Sequence, residues 1–84
     1  MHHVYIIRSA SNPARIYKGS TEDIVQRLAK HNKGDVTHTR NGRPWVIVYS
    51  ASFETKKLAI DFERYLKTAS GIAFMRKRLT KMPR

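Results

Sequence analysis

Residues 4–19, Val4-Tyr5-Ile6-Ile7-Arg8-Ser9-Ala10-Ser11-Asn12-Pro13-Ala14-Arg15-Ile16-Tyr17-Lys18-Gly19, decide the fold. Two runs of β-branched and aromatic residues, Val4–Ile7 and Ile16-Tyr17, flank a polar loop at 9–14. Such runs suit a pleated, half-buried surface. The Ser, Asn and Pro between them favour a chain reversal, so the stretch predicts a β-hairpin. Trp45-Val46-Ile47-Val48-Tyr49 supplies a third strand. It is apolar at every position, which predicts cover on both faces. Pro44 suits the first residue of a strand, where a missing N–H costs little.

Helices fill the intervals. Ser20-Thr21-Glu22-Asp23 predicts a helix start, with a hydroxyl as cap and acids in the first turn. That helix runs to about Asn32, and Gly34 stops it. Residues 35–43 read as a polar loop. Thr55 caps a second helix to about Lys67, with Leu58, Ala59, Phe62 and Leu66 as its buried stripe. Gly71 interrupts, and Ile72, Met75 and Leu79 mark a third, basic helix over about 71–81. The order β-β-α-β-α-α places the chain in the α/β class, α+β type: a three-stranded antiparallel sheet with flanking helices. One domain, 1–84, is expected, with its core at about 3–68.

Charge narrows the partner. The 84 residues carry 17 Lys and Arg against 6 Asp and Glu, a net +11. At 40 % hydrophobic content the chain is too apolar for a disordered basic tail. A folded domain this cationic points to a polyanion, because neutralising phosphates releases counterions. A solvated basic face is the plainer alternative; an anionic membrane is disfavoured, since no long amphipathic basic helix stands out. From Ser70 onward Arg76, Lys77, Arg78, Lys81 and Arg84 meet no acid at all. No cysteine is present, which removes disulfide-linked partners and thiolate chemistry. No stretch approaches the ~20 apolar residues of a membrane span. A soluble, cytoplasmic monomer is the expectation.

Some residues fit a purely structural role poorly. Arg27 and His31, four apart, fall on the same helix face as the Ile24 and Leu28 stripe. A buried stem with a wet head explains Arg27 equally well, and a satisfied core histidine explains His31. Glu63 lies at the margin of the second helix's stripe. It can pair with Lys67 one turn on, for roughly 0.3–0.5 kcal/mol. It can also serve Mg²⁺, which borrows one or two carboxylates and takes phosphate oxygens besides. Tyr5 and Tyr17 sit on adjacent strands, either as core residues with wet hydroxyls or as phenols tuned for proton transfer. Serine triads, glycine-rich phosphate loops and HExxH are absent. His2-His3 and His38 have no supporting context.

Together, Val4-Tyr5, Tyr17-Lys18-Gly19, Arg27, His31-Asn32, Pro44-Trp45, Phe53-Glu54 and Glu63 resemble the GIY-YIG nuclease superfamily in order and spacing. The likeness is to its small stand-alone bacterial-type members and covers roughly residues 3–68. It departs at His3, where the first glycine of the motif would stand, at Lys18 in the middle of the second triplet, and in lacking a late asparagine. The resemblance implies phosphodiester hydrolysis with one divalent ion, Mg²⁺ or Mn²⁺. Tyr5 and Tyr17 would orient or deprotonate the attacking water, with either as the base. Arg27 would stabilise charge on the scissile phosphate, His31 would hydrogen-bond a tyrosine or the phosphate, and Glu63 would hold the metal. Arg8 and Lys18 would add cations beside the site.

A +11 chain with no room for a separate recognition domain implies weak sequence specificity. Arg76, Lys77, Arg78 and Lys81 would grip nucleic-acid backbone. DNA is the expected substrate, with RNA also open. The rival is a non-catalytic nucleic-acid-binding module on the same fold. Binding alone does not demand Glu63, because a carboxylate repels phosphate unless a cation lies between them.

Overall fold

The structure, a computed structural model, describes residues 1–81; Arg84 lies outside them. The central strand is β1 (His2–Ser9), with β2 (Ile16–Thr21) on one side and β3 (Trp45–Phe53) on the other. Both pairings are antiparallel, as the hairpin reading expects. The reversal is closed by Ser9 N–H on the Arg15 carbonyl (3.0 Å) and by Asn12 N–H on the Ser9 hydroxyl (3.0 Å).

Alternation along β1 builds two cores. Val4 and Ile6 pack with Ala59, Leu66 and Met75 on one face. Tyr5 and Ile7 pack with Trp45, Tyr17 and Leu28 on the other. The doubly covered strand is therefore β1. The same expectation for β3 is corrected: β3 is a sheet edge, and Val46 is 49 % exposed.

Helix α1 (Ile24–Lys33) starts later than expected. Ser20 and Thr21 still belong to β2, so the cap passes to Asp23, whose carboxylate accepts from Gln26 N–H (3.0 Å). The first turn then holds no acid. Thr21 instead accepts the Asp23 N–H at 3.2 Å. Gly34 ends the helix in the left-handed region at φ +86°, as the stop signal requires. The loop expected at 35–43 winds into a 3₁₀ turn over Thr37–Gly42.

Helix α2 (Lys56–Tyr65) is capped by Thr55 as read, its hydroxyl accepting from Leu58 N–H. Leu58 itself is corrected out of the buried stripe: it lies in the first turn and is 51 % exposed. Helix α3 (Ala69–Arg78) begins before Gly71, with Thr68 as cap. Gly71 permits the α2–α3 corner instead of interrupting a helix. A Cβ there would lie 1.7 Å from the Tyr65 carbonyl oxygen. Among the described residues no helix is long and apolar enough to cross a membrane.

Candidate functional site

The hairpin register sets the first pair of side chains. Tyr5 faces Gly19 and Ile7 faces Tyr17, so the two tyrosines are diagonal neighbours on one face of the sheet. Their ring centroids are 6.5 Å apart. Helix α1 crosses this face and lowers His31 between them, edge-on to both rings at 5.7 and 5.1 Å. His31 is fully buried.

Hydrogen bonds lock the cluster. The Tyr5 hydroxyl and His31 Nε2 are bonded at 2.9 Å, and His31 Nδ1 meets the Thr39 hydroxyl at 2.7 Å. Arg27, one turn before His31, donates from Nε to the Tyr5 oxygen at 3.3 Å. Burial pushes the Tyr5 phenol up; the Arg27 bond and charge oppose this, while Tyr17 and Glu63 add to it. The bond to Tyr5 in turn raises the Arg27 guanidinium, which stays charged. Burial, then the Arg27 charge, push His31 down, so its imidazole is neutral at pH 7.

Glu63 approaches from α2, which packs against all three strands and stands on the Val4 and Ile6 side. Its side chain is 18 % exposed and accepts from Lys67 Nζ at 2.8 Å. Even so, its charge reaches Tyr5 and opposes phenol ionisation. One mostly buried carboxylate, balanced by a half-exposed lysine, suits a hard cation that takes few protein ligands. Among the described residues no group of three or more His, Asp or Glu is placed to hold a metal ion. A Mg²⁺ completed by water and phosphate fits this donor set; an all-protein cage does not.

Tyr5, Tyr17, Arg27 and His31 thus meet in one cluster, with Glu63 within electrostatic reach. A family profile describing the GIY-YIG catalytic domain matches residues 1–77. The chain belongs to the GIY-YIG family. It is 37 % identical over 71 residues to a UPF0213 protein of Halobacterium salinarum, covering 83 % of this chain and 90 % of that one. A UPF0213 protein of Staphylococcus saprophyticus is 36 % identical over 70 residues, covering 82 % of this chain and 83 % of its own length. The structure-specific endonuclease subunit SLX1 of Malassezia globosa is 43 % identical over 65 residues, 70 % of this chain but 14 % of SLX1.

Lys18, Arg8 and the basic residues of α3 in this GIY-YIG chain stand on the other layer. The expectation of Lys18 as a cation beside the tyrosines is corrected: it alternates with Tyr17 and Gly19, so it faces the opposite side of the sheet, where its Nζ donates to the Leu66 carbonyl at 2.8 Å. Burial lowers its pKa, and the Lys67 and Arg76 charges lower it further. Arg8 donates to the Lys81 carbonyl at 2.5 Å, away from the tyrosines. Arg76, Lys77 and Arg78 form the last turn of α3, whose Met75 packs on Val4 and Ile6.

Thr39 and Asn32 are the residues that sequence reasoning left without a role. Asn32 brackets the Trp45 backbone, accepting its N–H (2.6 Å) and donating to its carbonyl (3.1 Å). This ties the end of α1 to β3 beside His31. Trp45 Nε1 donates to the Thr39 carbonyl at 2.7 Å. A threonine inside the polar run 35–43 carries no sequence signal; only its complete burial sets it apart.

Proposed function

We propose that this chain is an endonuclease that hydrolyses phosphodiester bonds of DNA with low sequence specificity, using one Mg²⁺ or Mn²⁺ ion. The observation that carries this reading is the convergence of Tyr5, Tyr17, Arg27 and His31 in one hydrogen-bonded cluster, with the Glu63 carboxylate in electrostatic reach. The likeness to SLX1, a structure-specific endonuclease subunit, supports it, although that protein is far longer than the stretch shared here.

The division of labour follows from chemistry. Arg27 is charged and faces the tyrosine oxygens, where it stabilises negative charge gathering on a phosphate. Tyr5 and Tyr17 hold the attacking water, and neutral His31 orients Tyr5. Glu63 would hold the metal, which when bound supplies positive charge to a phosphate oxygen and to water. Lys18, Arg8, Arg76, Lys77, Arg78 and Lys81 serve nucleic-acid backbone, which fixes position without reading bases. We read the active species as a cytoplasmic monomer.

A second reading is a non-catalytic nucleic-acid-binding module. The observation favouring it is the Lys67–Glu63 ion pair, which neutralises the carboxylate without any metal. One experiment separates the two. Supercoiled, linear, branched and single-stranded DNA, with RNA alongside, are incubated in Mg²⁺ or Mn²⁺ and in EDTA. Glu63→Ala and Arg27→Ala run beside the wild type. Metal-dependent nicking lost in both variants supports the nuclease. Salt-sensitive binding without cutting, unchanged in Glu63→Ala, supports the module.

A further inference from the structure

The geometry assigns Thr39 as the positioning residue that holds His31 in its Nδ1–H form, so that His31 Nε2 accepts the Tyr5 proton and fixes the direction of the Tyr5 hydroxyl. This inference rests on the nuclease reading above for its cleavage readout only.

The donors and acceptors around His31 favour one tautomer. Thr39 Oγ1 lies 3.3 Å from the Val36 carbonyl, which can only accept, so the threonine proton goes there. The Thr39 oxygen then accepts from His31 Nδ1–H at 2.7 Å. His31 Nε2 is left with a lone pair, and Tyr5 O–H donates to it at 2.9 Å. Arg27 is compatible with this direction, because its Nε–H, a donor in every protonation state, points at the Tyr5 oxygen and leaves the Tyr5 proton for His31. In the opposite tautomer the Tyr5 oxygen would accept from both His31 Nε2–H and Arg27 Nε–H, and its own proton would find no acceptor in the hydrogen bonds of the described residues.

Tyr17 has no such backing. It meets His31 through ring edges at 5.1 Å, with no hydrogen bond between the two side chains among the described residues. The chain Tyr5–His31–Thr39–Val36 runs entirely through buried or half-buried groups, and Thr39 is itself pinned by Trp45 Nε1. The titratable and charged groups facing His31 are Tyr5 from β1, Tyr17 from β2 and Arg27 from its own helix.

The test reads the tautomer directly, by ¹⁵N NMR of the His31 ring in the full chain, free of substrate. Wild type and Thr39→Ser are expected to show Nδ1–H at neutral pH, and Thr39→Val a mixture or Nε2–H. Plasmid cleavage is expected to fall at least about tenfold in Thr39→Val, with DNA affinity held, and to recover in Thr39→Ser. Wild type in the Nε2–H form overturns the proposal, whatever the variants do. So does a folded Thr39→Val that keeps the wild-type tautomer, whether or not its activity falls. A wild type that cuts nothing but shows the Nδ1–H tautomer, lost in Thr39→Val, sinks the nuclease reading alone.

Discussion

Gly19 lies beneath the Tyr5 ring: a Cβ on Gly19 would stand 2.6 Å from the Tyr5 hydroxyl oxygen and 2.8 Å from its Cζ. The register places the two residues directly opposite each other on β2 and β1. The missing side chain is what lets the phenol lie flat enough to reach both His31 and Arg27. Gly19→Ala is therefore expected to displace Tyr5. A cost of about 1–3 kcal/mol in denaturant unfolding is expected from the overpacking alone. Cleavage should fall further than that loss explains, because the displaced oxygen leaves both of its partners. Unfolding curves and plasmid nicking on one preparation check both parts.

The burial of His31 makes stability depend on pH. Its pKa is lowered in the fold, by burial and then by Arg27. The unfolded chain therefore binds a proton near the ordinary value of about 6.5 that the folded chain refuses. Stability is fully present above that value and declines as pH falls through the window below it. Thermal unfolding between about pH 8 and about pH 5 should show this decline, and His31→Gln should lose that share of it. An identical decline in His31→Gln would assign the dependence to other groups.

Much of this architecture was legible because local signals and tertiary demands agree. The hairpin, the Gly34 stop and the Thr55 cap are each set by neighbouring residues in the chain, and each stands as read. Failures came where a long-range contact decides. The apolar run of β3 could not show that it forms a sheet edge, since edge position depends on strand order. Gly71 looked like a break, but its cause is the Tyr65 carbonyl across a helix corner. Arg27 and His31 were conspicuous because polar residues intruded on an apolar stripe. Thr39 was invisible because a polar residue in a polar run intrudes on nothing.

Arg27 offers a test of shape against charge. Its Nε–H holds the Tyr5 oxygen while its charge depresses His31. Lysine keeps the charge but has no planar fork to hold a phenol and a phosphate together. Arg27→Lys is expected to lower single-turnover cleavage by about 10²-fold. DNA affinity should change by less than about threefold, since the phosphate charge is still met. Near-normal cleavage in Arg27→Lys would mean that charge alone is used at this position.

The Lys67–Glu63 pair bears on metal affinity. Lys67 Nζ sits 2.8 Å from Glu63 Oε2, yet the lysine side chain is 54 % exposed while the glutamate is mostly covered. An i,i+4 pair whose lysine reaches into solvent contributes little to folding, so Lys67→Met should leave unfolding within about 0.5 kcal/mol of wild type. Its effect should appear at the carboxylate instead. With the ammonium gone, the Glu63 carboxylate is left unpaired, and a divalent cation no longer competes with a resident one. The Mg²⁺ concentration for half-maximal cleavage is expected to drop in Lys67→Met, and Glu63→Gln should abolish that gain in the double variant. A Mg²⁺ requirement that rises in Lys67→Met would instead make the lysine a partner of phosphate, acting beside Lys18 and not on Glu63.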